Sequence, residues 1–187
     1  LPTLVPNEDP SIIKQLERTF KKRGIRSNLG TFFKSVEETS DGVKVTLEDG
    51  KTFEAEICLI AVGRGPVTEG LGFEEQGITL DRGFVITDER LHTGVGSIYA
   101  VGDIVPGLQL AHRGYQQGLF VAEEIVGNNP VIVEDINIPK VTFCEPEIMS
   151  VGYTQPKAEE QFGKDQIELT EYNLAGNGKS SILGTGG

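Results

Sequence analysis

The chain has 187 residues, of which 37% are hydrophobic and 24% charged, and these proportions are typical of a folded globular protein. Its net charge of −11 disfavours nucleic acid and anionic membranes as partners, because contacts to phosphates require a basic face. No apolar run approaches the roughly 20 residues that cross a bilayer, so we expect a soluble, cytoplasmic protein. The only cysteines, Cys58 and Cys144, lie far apart and predict structural thiols, Cys58 in a core, with no metal site.

The first predicted element is a helix that begins at Asp9 and Pro10. Asp9 can cap the helix, and Pro10 suits its first position, where the missing N–H is harmless. Residues 21–23 (Lys-Lys-Arg) complement the dipole of the last turn, and Gly24 is a typical residue to end it. The basic cluster therefore has a local explanation; contact with an NADP phosphate is the alternative.

Strands are predicted next, over residues 31–38, 43–48 and 52–62. Asp-Gly pairs at 41–42 and 49–50 separate them and favour hairpins. Residues 43–47 alternate between apolar and polar side chains, which predicts one buried face. Residues 57–62 lose this alternation, and such a run is typical of a strand covered on both sides.

Two apolar runs end in a glycine and a charged residue: residues 61–64 end in Gly63-Arg64, and residues 97–103 end in Gly102-Asp103. We interpret both as buried strands that stop at a ligand, because glycine lets a ligand approach the backbone. In open α/β sheets the carboxyl ends of strands face the ligand. Mostly loop is predicted between the two runs.

A second helix is predicted over residues 110–126, because Gly127 and Pro130 end the pattern there. One face of it carries Ala111, Tyr115, Leu119, Ala122 and Val126. After residue 131 the composition favours strands, and residues 155–160 predict a short helix.

The order of these motifs resembles the FAD- and NAD-dependent pyridine nucleotide-disulfide oxidoreductases, and within them the actinobacterial dihydrolipoyl dehydrogenases. Four segments carry the resemblance: A-x-G-R-x-P at 61–66, I-Y-A-x-G-D at 98–103, L-A-H at 110–112, and P-x-V-x-F-x-x-P-E-x-x-x-V-G at 139–152. The segment 172–180 also looks like this branch. The resemblance extends over almost the whole chain.

The resemblance implies an α/β fold of Rossmann-like, three-layer FAD/NAD(P)-binding pieces, followed by the start of an α+β interface (dimerisation) domain. Residues 1–63 would be the C-terminal part of the NAD-binding domain. Residues 64–129 would end the FAD-binding domain, and residues 130–187 would begin the interface domain. The family's G-x-G-x-x-G loops, C-x-x-x-x-C redox pair and catalytic histidine are missing. We therefore expect an internal fragment, truncated at both ends, without catalytic residues.

The resemblance also assigns cofactor contacts. Six residues are expected to contact FAD: Gly102, Asp103, Gln109, Leu110, Ala111 and His112. Asp103 would accept hydrogen bonds from the ribityl hydroxyls, and Gly63 and Phe33 would lie against NAD. Alternatives stay open at three positions: His112 can be a buried histidine bonded to the backbone, Phe33 a core aromatic, and Arg64 either an anchor of the chain crossover or a neighbour of FAD.

The function implied for the parent enzyme is the reoxidation of protein-bound dihydrolipoamide to lipoamide, with electrons passing through FAD to NAD+. Its expected partners are a second copy and the lipoyl-bearing subunits of 2-oxoacid dehydrogenase complexes. A sister reductase acting on glutathione or mercuric ion shares the Gly63-Arg64 and Asp103 motifs, so it remains an alternative. A noncatalytic module that keeps the fold is another.

Overall fold

The computed structural model describes residues 1–184, and the chain divides into two compact units, Leu1–Gly152 and Tyr153–Gly187. Its helices are α1 (Pro10–Lys22), α2 (Ala111–Ile125), α3 (Gln155–Phe162) and α4 (Gly178–Leu183). Its strands are β1 (Phe33–Thr39), β2 (Gly42–Leu47), β3 (Thr52–Ala55), β4 (Leu80–Asp81), β5 (Phe84–Val85), β6 (Lys140–Thr142) and β7 (Ile148–Ser150). Every strand pair within residues 1–184 is antiparallel. The domain boundaries expected at 63 and 129 stay a prediction.

Helix α1 begins and ends at the residues that its sequence predicts, although the Asp9 side chain makes no capping hydrogen bond. Asp9 is the N-cap residue and Pro10 the first helical one, while Ile13 and Leu16 are buried. At the other end the Gly24 N–H donates to the Lys21 carbonyl, and the Ile25 N–H reaches back to the Phe20 carbonyl at 2.9 Å. These two bonds and the positive φ of Gly24 form a Schellman motif, so the helix end has a local cause.

Strands β1, β2 and β3 form an antiparallel meander in that order. A tight turn joins β1 to β2, where Thr39 pairs with Gly42. On the sheet Val45 lies between Val36 and Phe53, and Lys44 lies between Glu37 and Glu54. Opposite charges in neighbouring strands and apolar neighbours on the other face stabilise this register. The predicted hairpins are confirmed.

The prediction for residues 57–62 is wrong, because they form no strand. Ile57, Leu59 and Val62 are more than four-fifths exposed, and β3 ends at Ala55. A strand covered on both sides needs neighbouring strands and a helical layer, and no residue in the range 1–184 pairs with this run. Cys58 is correspondingly half-buried and does not lie in a core.

The hydrophobic core of the first unit lies in its central part. Ile78, Val85, Ala100 and Val105 are buried together, with Phe73, Leu80, Val95 and Ile104 packed against them. The β4–β5 hairpin supplies Val85, and residues 98–105 supply the other half. Residues 98–101 are extended, but the structure gives them a single bridge, between Tyr99 and His92, in place of the predicted strand. The Ala100 N–H donates to the Leu91 carbonyl at 3.0 Å.

Helix α2 presents a different face to this core from the one its apolar pattern suggests. Tyr115, Leu119 and Val126, which share the predicted apolar face, are 54–76% exposed. The buried side chains are Arg113, Gln117 and Phe120. Spacings of four and three residues place these three on one side of the helix. Polar side chains therefore occupy most of the inner side of α2.

An ion pair ties α2 to the loop before residue 98. The Arg90 guanidinium donates to both carboxylate oxygens of Glu124 and stacks over the Phe120 ring, 5.3 Å from its centroid. The same guanidinium also donates to the Pro130 carbonyl. These hydrogen bonds hold the pKa of Glu124 below its ordinary value and raise the pKa of Arg90. Both groups therefore stay charged over the neutral range.

The strands favoured by the composition after residue 131 include β6 and β7, which pair with Val141 opposite Met149. In the second unit, α3 covers the predicted short helix, and the Tyr153 and Phe162 rings meet edge to face with centroids 5.4 Å apart. Asn177 caps α4 by accepting from the Lys179 N–H at 2.9 Å.

Candidate functional site

Asp103 lies on a short turn at the end of the extended run. The chain passes from the buried Ala100 through an extended Val101 into a 3-10 turn over Gly102–Ile104. Gly102 has a φ of +77°, which is a left-handed conformation that favours glycine, and the space a Cβ would fill is open. The Asp103 side chain is exposed. A carboxylate therefore stands in an accessible position beside a backbone without a side chain.

The inner side of α2 fixes the position of Gly102. The Gly102 N–H donates to the Gln117 side-chain oxygen at 2.8 Å, and Gln117 is only 2% exposed. A Cβ on Gly114 would lie 3.2 Å from the Gly102 Cα, so the helix and the turn approach closely here. Neither contact was predicted from the sequence.

The N-terminus of α2 is open to a ligand. Leu110 is its N-cap residue, and a leucine side chain cannot accept from the first-turn N–H groups. The Leu110 carbonyl accepts from Arg113 and Gly114, while the N–H groups of Ala111 and His112 precede the first intrahelical bond. Donors at such an end favour an anion or an oxygen-rich group.

Gln109, the residue before this cap, has one satisfied and one unsatisfied polar group. Its carbonyl accepts from the Arg64 guanidinium at 3.1 Å. Its side-chain Nε2 is buried without a hydrogen-bond partner among the described residues. A buried amide donor without a partner is costly, so this atom fits a ligand oxygen at the site.

His112 bonds to the backbone. Its Nε2 lies 2.6 Å from the Pro139 carbonyl, which can only accept, so Nε2 carries the proton. The residue is exposed, not buried. The contact connects the first turn of α2 to the segment that leads into β6.

The two residues expected near NAD, Gly63 and Phe33, are both exposed. Gly63 has a φ of +136°, which explains its identity, and nothing lies within 4 Å of the place of its Cβ. Phe33 opens β1 opposite Leu47 and is 49% exposed, so the core-aromatic alternative is wrong. Arg64 follows Gly63 directly, and its bond to Gln109 brings this segment to the beginning of α2.

The structure therefore brings together some of the expected residues. Gly102 and Asp103 lie at one end of a segment whose other end is formed by Gln109, Leu110 and Ala111, and α2 contacts both ends. Arg113, Gln117 and Asp135 join this arrangement and were missed. The helical spacing of 113, 117 and 120 could have revealed the two helix residues, but the stronger apolar pattern on the opposite face obscured that signal, and no local signal points to Asp135.

Comparison with known families identifies the class. Residues 1–118 match the family model described as pyridine nucleotide-disulphide oxidoreductase. The chain belongs to this family.

Curated relatives of this chain are named dihydrolipoyl dehydrogenase. That of Bacillus subtilis is 41% identical over 185 residues, which are 96% of this chain and 39% of the relative. Those of Corynebacterium glutamicum and Mycobacterium bovis are 33% and 35% identical, over 95% and 98% of this chain and 39% and 40% of their own lengths. The chain spans about two fifths of the length of these relatives. The predicted resemblance, actinobacterial relatives included, is confirmed.

Solved structures agree. LpdA of Mycobacterium tuberculosis is 31% identical with a TM-score of 0.86, over 95% of this chain and 38% of its own. The HOCl-induced flavoprotein disulfide reductase RclA of Escherichia coli is 27% identical with a TM-score of 0.86, over 96% and 40%. The predicted α/β fold class is confirmed, although the chain forms no parallel sheet within residues 1–184.

Within residues 1–184, no helix combines the length and the apolar character that a membrane span needs. In the same range no group of three or more His, Cys, Asp or Glu side chains could hold a metal ion.

Proposed function

We propose that the whole protein to which this chain belongs is a flavoprotein that reoxidises protein-bound dihydrolipoamide to lipoamide and reduces NAD+. The names of the relatives support the substrate, since they match 94–98% of this chain. The geometry supports a flavin site through one observation: the exposed Asp103 carboxylate and the uncapped N-terminus of α2 belong to one segment that the helix fixes at both ends.

The residues present fit FAD. The hydroxyls of this cofactor need hydrogen-bond acceptors, and the polar edge of its ring needs hydrogen-bond donors. Asp103 supplies acceptors, and the first-turn N–H groups of α2 and the unpartnered Gln109 Nε2 supply donors. When bound, FAD supplies the two-electron carrier between a dithiol and NAD+. The family resemblance implies that this turn holds the ribityl chain, and we propose that role for Asp103.

On the nicotinamide side, Gly63 and the Phe33 backbone are proposed contacts. Support comes from their exposure and from the open space at Gly63. Arg64 lies between the two proposed cofactor segments and holds the Gln109 carbonyl. His112 is proposed to border the flavin through its backbone, since its ring already donates to Pro139.

This chain supplies positioning groups and not the reacting sulfurs. Cys58 and Cys144 are its only cysteines, both unpaired, and the Cys144 thiol donates to the Pro146 carbonyl at 3.1 Å. We therefore propose that the isolated 187 residues are inactive and bind no stoichiometric flavin. Two unpaired thiols also support a reducing, cytoplasmic location. A homodimer that meets lipoyl-bearing subunits is the proposed assembly.

The test compares the full-length protein with the isolated chain. The full-length protein should be yellow, carry about one FAD per chain, and reduce NAD+ with dihydrolipoamide. The isolated chain should take up no flavin in an absorbance titration. A stoichiometric yellow complex of flavin with the isolated chain would contradict the proposal that this chain alone binds no flavin.

A sister disulfide reductase is the second candidate, and the likeness to RclA favours it. The two candidates differ in which substrate turns over. The full-length protein should oxidise dihydrolipoamide faster than it reduces glutathione disulfide or mercuric ion with NADH or NADPH. The reverse order would replace the first proposal by the second, and no turnover with any of them would favour a noncatalytic module.

A further inference from the structure

The inner face of α2, formed by Arg113, Gln117 and Phe120, is unusual because two of its three buried side chains are polar. Arg113 is 5% exposed and Gln117 is 2% exposed. The opposite face of the same helix exposes Tyr115 and Leu119. Burying a guanidinium costs free energy that an apolar side chain would not cost. Stability alone therefore does not explain this choice of residues.

Arg113 organises the loop between the Asp103 turn and α2. Its Nε donates to the Asp135 carboxylate at 2.5 Å, and its Nη2 donates to the Pro106 carbonyl at 2.6 Å. The second oxygen of Asp135 accepts from the Leu108 N–H at 3.1 Å. Each partner of the ion pair thus makes a hydrogen bond to the backbone of the loop.

Gly107 shows how tightly the loop is wrapped around this pair. A Cβ at that position would collide with the Arg113 Nη2 and with an oxygen of Asp135. The φ of Gly107 is +123°, a conformation that side chains rarely adopt. The loop can take this path because residue 107 is a glycine, whose missing Cβ leaves room for the guanidinium and the carboxylate.

Gln117 acts at the other end of the same segment. Its side-chain oxygen accepts from the Gly102 N–H, one turn of the helix away from the Arg113 contacts. Gln117 therefore holds Gly102 at the start of the Asp103 turn, while Arg113 and Asp135 hold Pro106 and Leu108 just before Gln109. Both proposed groups of flavin contacts are set against one rigid helix.

We propose that Arg113, with Asp135, and Gln117 are positioning residues that fix the segment from Gly102 to Ala111 as one unit. Their role is to set the separation between the Asp103 carboxylate and the donors at the start of α2. This inference rests on the proposed flavin site, because the segment is assigned to FAD there. It adds residues that touch no cofactor themselves.

The test uses the full-length flavoprotein and two matched arginine variants. Arg113→Met removes the ion pair that holds the loop, and Arg90→Met removes the pair with Glu124 at the other end of α2. We expect Arg113→Met to raise the Kd of FAD for the apoprotein about tenfold or more, because the two contact groups lose their fixed spacing. Arg90→Met should lower the thermal midpoint and leave that Kd within about twofold.

Gln117→Glu and Gln117→Leu give a second, independent pair. Glutamate keeps an acceptor for the Gly102 N–H, and leucine does not. We expect the leucine variant to weaken FAD binding and the glutamate variant to restore most of it. If Arg113→Met does not fold, Arg113→Lys keeps the charge but not the planar fork and should give an intermediate Kd.

Hydrogen exchange at the amides of Gly102 and Leu108 separates this inference from the proposed function. Faster exchange in the Gln117→Leu and Arg113→Met proteins, respectively, is expected even without cofactor. Equal effects of Arg113→Met and Arg90→Met on FAD binding, or unchanged exchange at Leu108, would overturn the positioning role. If the wild-type protein binds no FAD but the exchange of the Leu108 amide still depends on Arg113, the flavin site is refuted. The positioning role of Arg113 in the loop then stands.

Discussion

Two segments of this chain have nearly the same sequence pattern and opposite surroundings. Residues 57–64 and 97–103 are both apolar runs that end in glycine and a charged residue. In the second, Ala100 is buried against Ile78 and Val85, while in the first Ile57 and Leu59 are more than four-fifths exposed. The apolar pattern shows that a segment is suited to burial, and the elements around it determine whether it is buried. Burial is therefore a property of the surroundings as much as of the run itself.

The largest expected effect concerns the charged residue at the end of the buried segment. In the full-length protein Asp103→Ala should raise the Kd of FAD about 10- to 100-fold, because hydrogen bonds to a charged acceptor are lost. Equilibrium titration of the apoprotein measures it. Arg64→Ala, which removes the charged residue at the end of the exposed segment, is the matched variant and should have a smaller effect. Equal increases in Kd for the two variants would mean that the two charged residues contribute equally to FAD binding.

The next effect tests burial itself in the isolated chain. Val105→Ala deletes two methyl groups from the core and should lower the free energy of unfolding by about 2 kcal/mol. Val62→Ala makes the same chemical change at an 84% exposed site and should cost less than about 0.5 kcal/mol. Urea denaturation measures both. A large cost for Val62→Ala would mean that the exposed segment is covered in solution.

A smaller effect distinguishes Gly63, in the exposed segment, from Gly65, which follows that segment. Gly63 has a φ of +136°, whereas Gly65 has an ordinary backbone, and neither place for a Cβ is obstructed. Gly63→Ala should therefore cost about 1 kcal/mol through strain and raise the KM for NAD+, with FAD content unchanged. Gly65→Ala is the control and should leave the KM unchanged. A loss of FAD in the Gly63 variant would place this segment on the flavin side.

The smallest effect is the pH dependence of the ion pair beside the buried segment. The pKa of Glu124 lies below its ordinary value of 4.5, so the stabilisation by Arg90 is complete above that pH and is lost as the pH falls through the lowered pKa. The difference in urea midpoint between wild type and Arg90→Met should shrink from pH 7 to strongly acidic pH. Val105→Ala removes no titrating group, so the difference in urea midpoint between this variant and wild type should not shrink with falling pH. An unchanged difference for Arg90→Met would mean that the carboxylate contributes nothing.

Sequence predicted those features whose causes are local. The start of α1 at Asp9 and Pro10, its end at Gly24, and the hairpins at the Asp-Gly pairs all depend on residues within a few positions of each other. The family motifs also singled out Gly102, although as the end of a strand, and the structure gives it a left-handed φ at the start of a 3-10 turn. These elements need no knowledge of distant contacts.

The orientation of α2 could not be predicted, because its stronger pattern lies on the exposed side. Leu119 and Tyr115 suggested a buried face, whereas the helix buries Arg113 and Gln117 against the loop. A buried arginine becomes intelligible only when Asp135, 22 positions along the chain, is brought beside it. Long-range polar partners leave no periodic signal in a single sequence. The cofactor contacts themselves stay predictions.

The bond from the Arg64 guanidinium to the Gln109 carbonyl has a thermodynamic consequence. It is a direct link between the segment proposed to contact the nicotinamide and the segment proposed to contact the flavin. Linked equilibria are reciprocal, so whatever this bond adds to the affinity for one cofactor when the other is present, it adds equally in the opposite order. A single exposed hydrogen bond contributes about 0.5–1.5 kcal/mol, which limits any cooperativity carried by this contact to about tenfold.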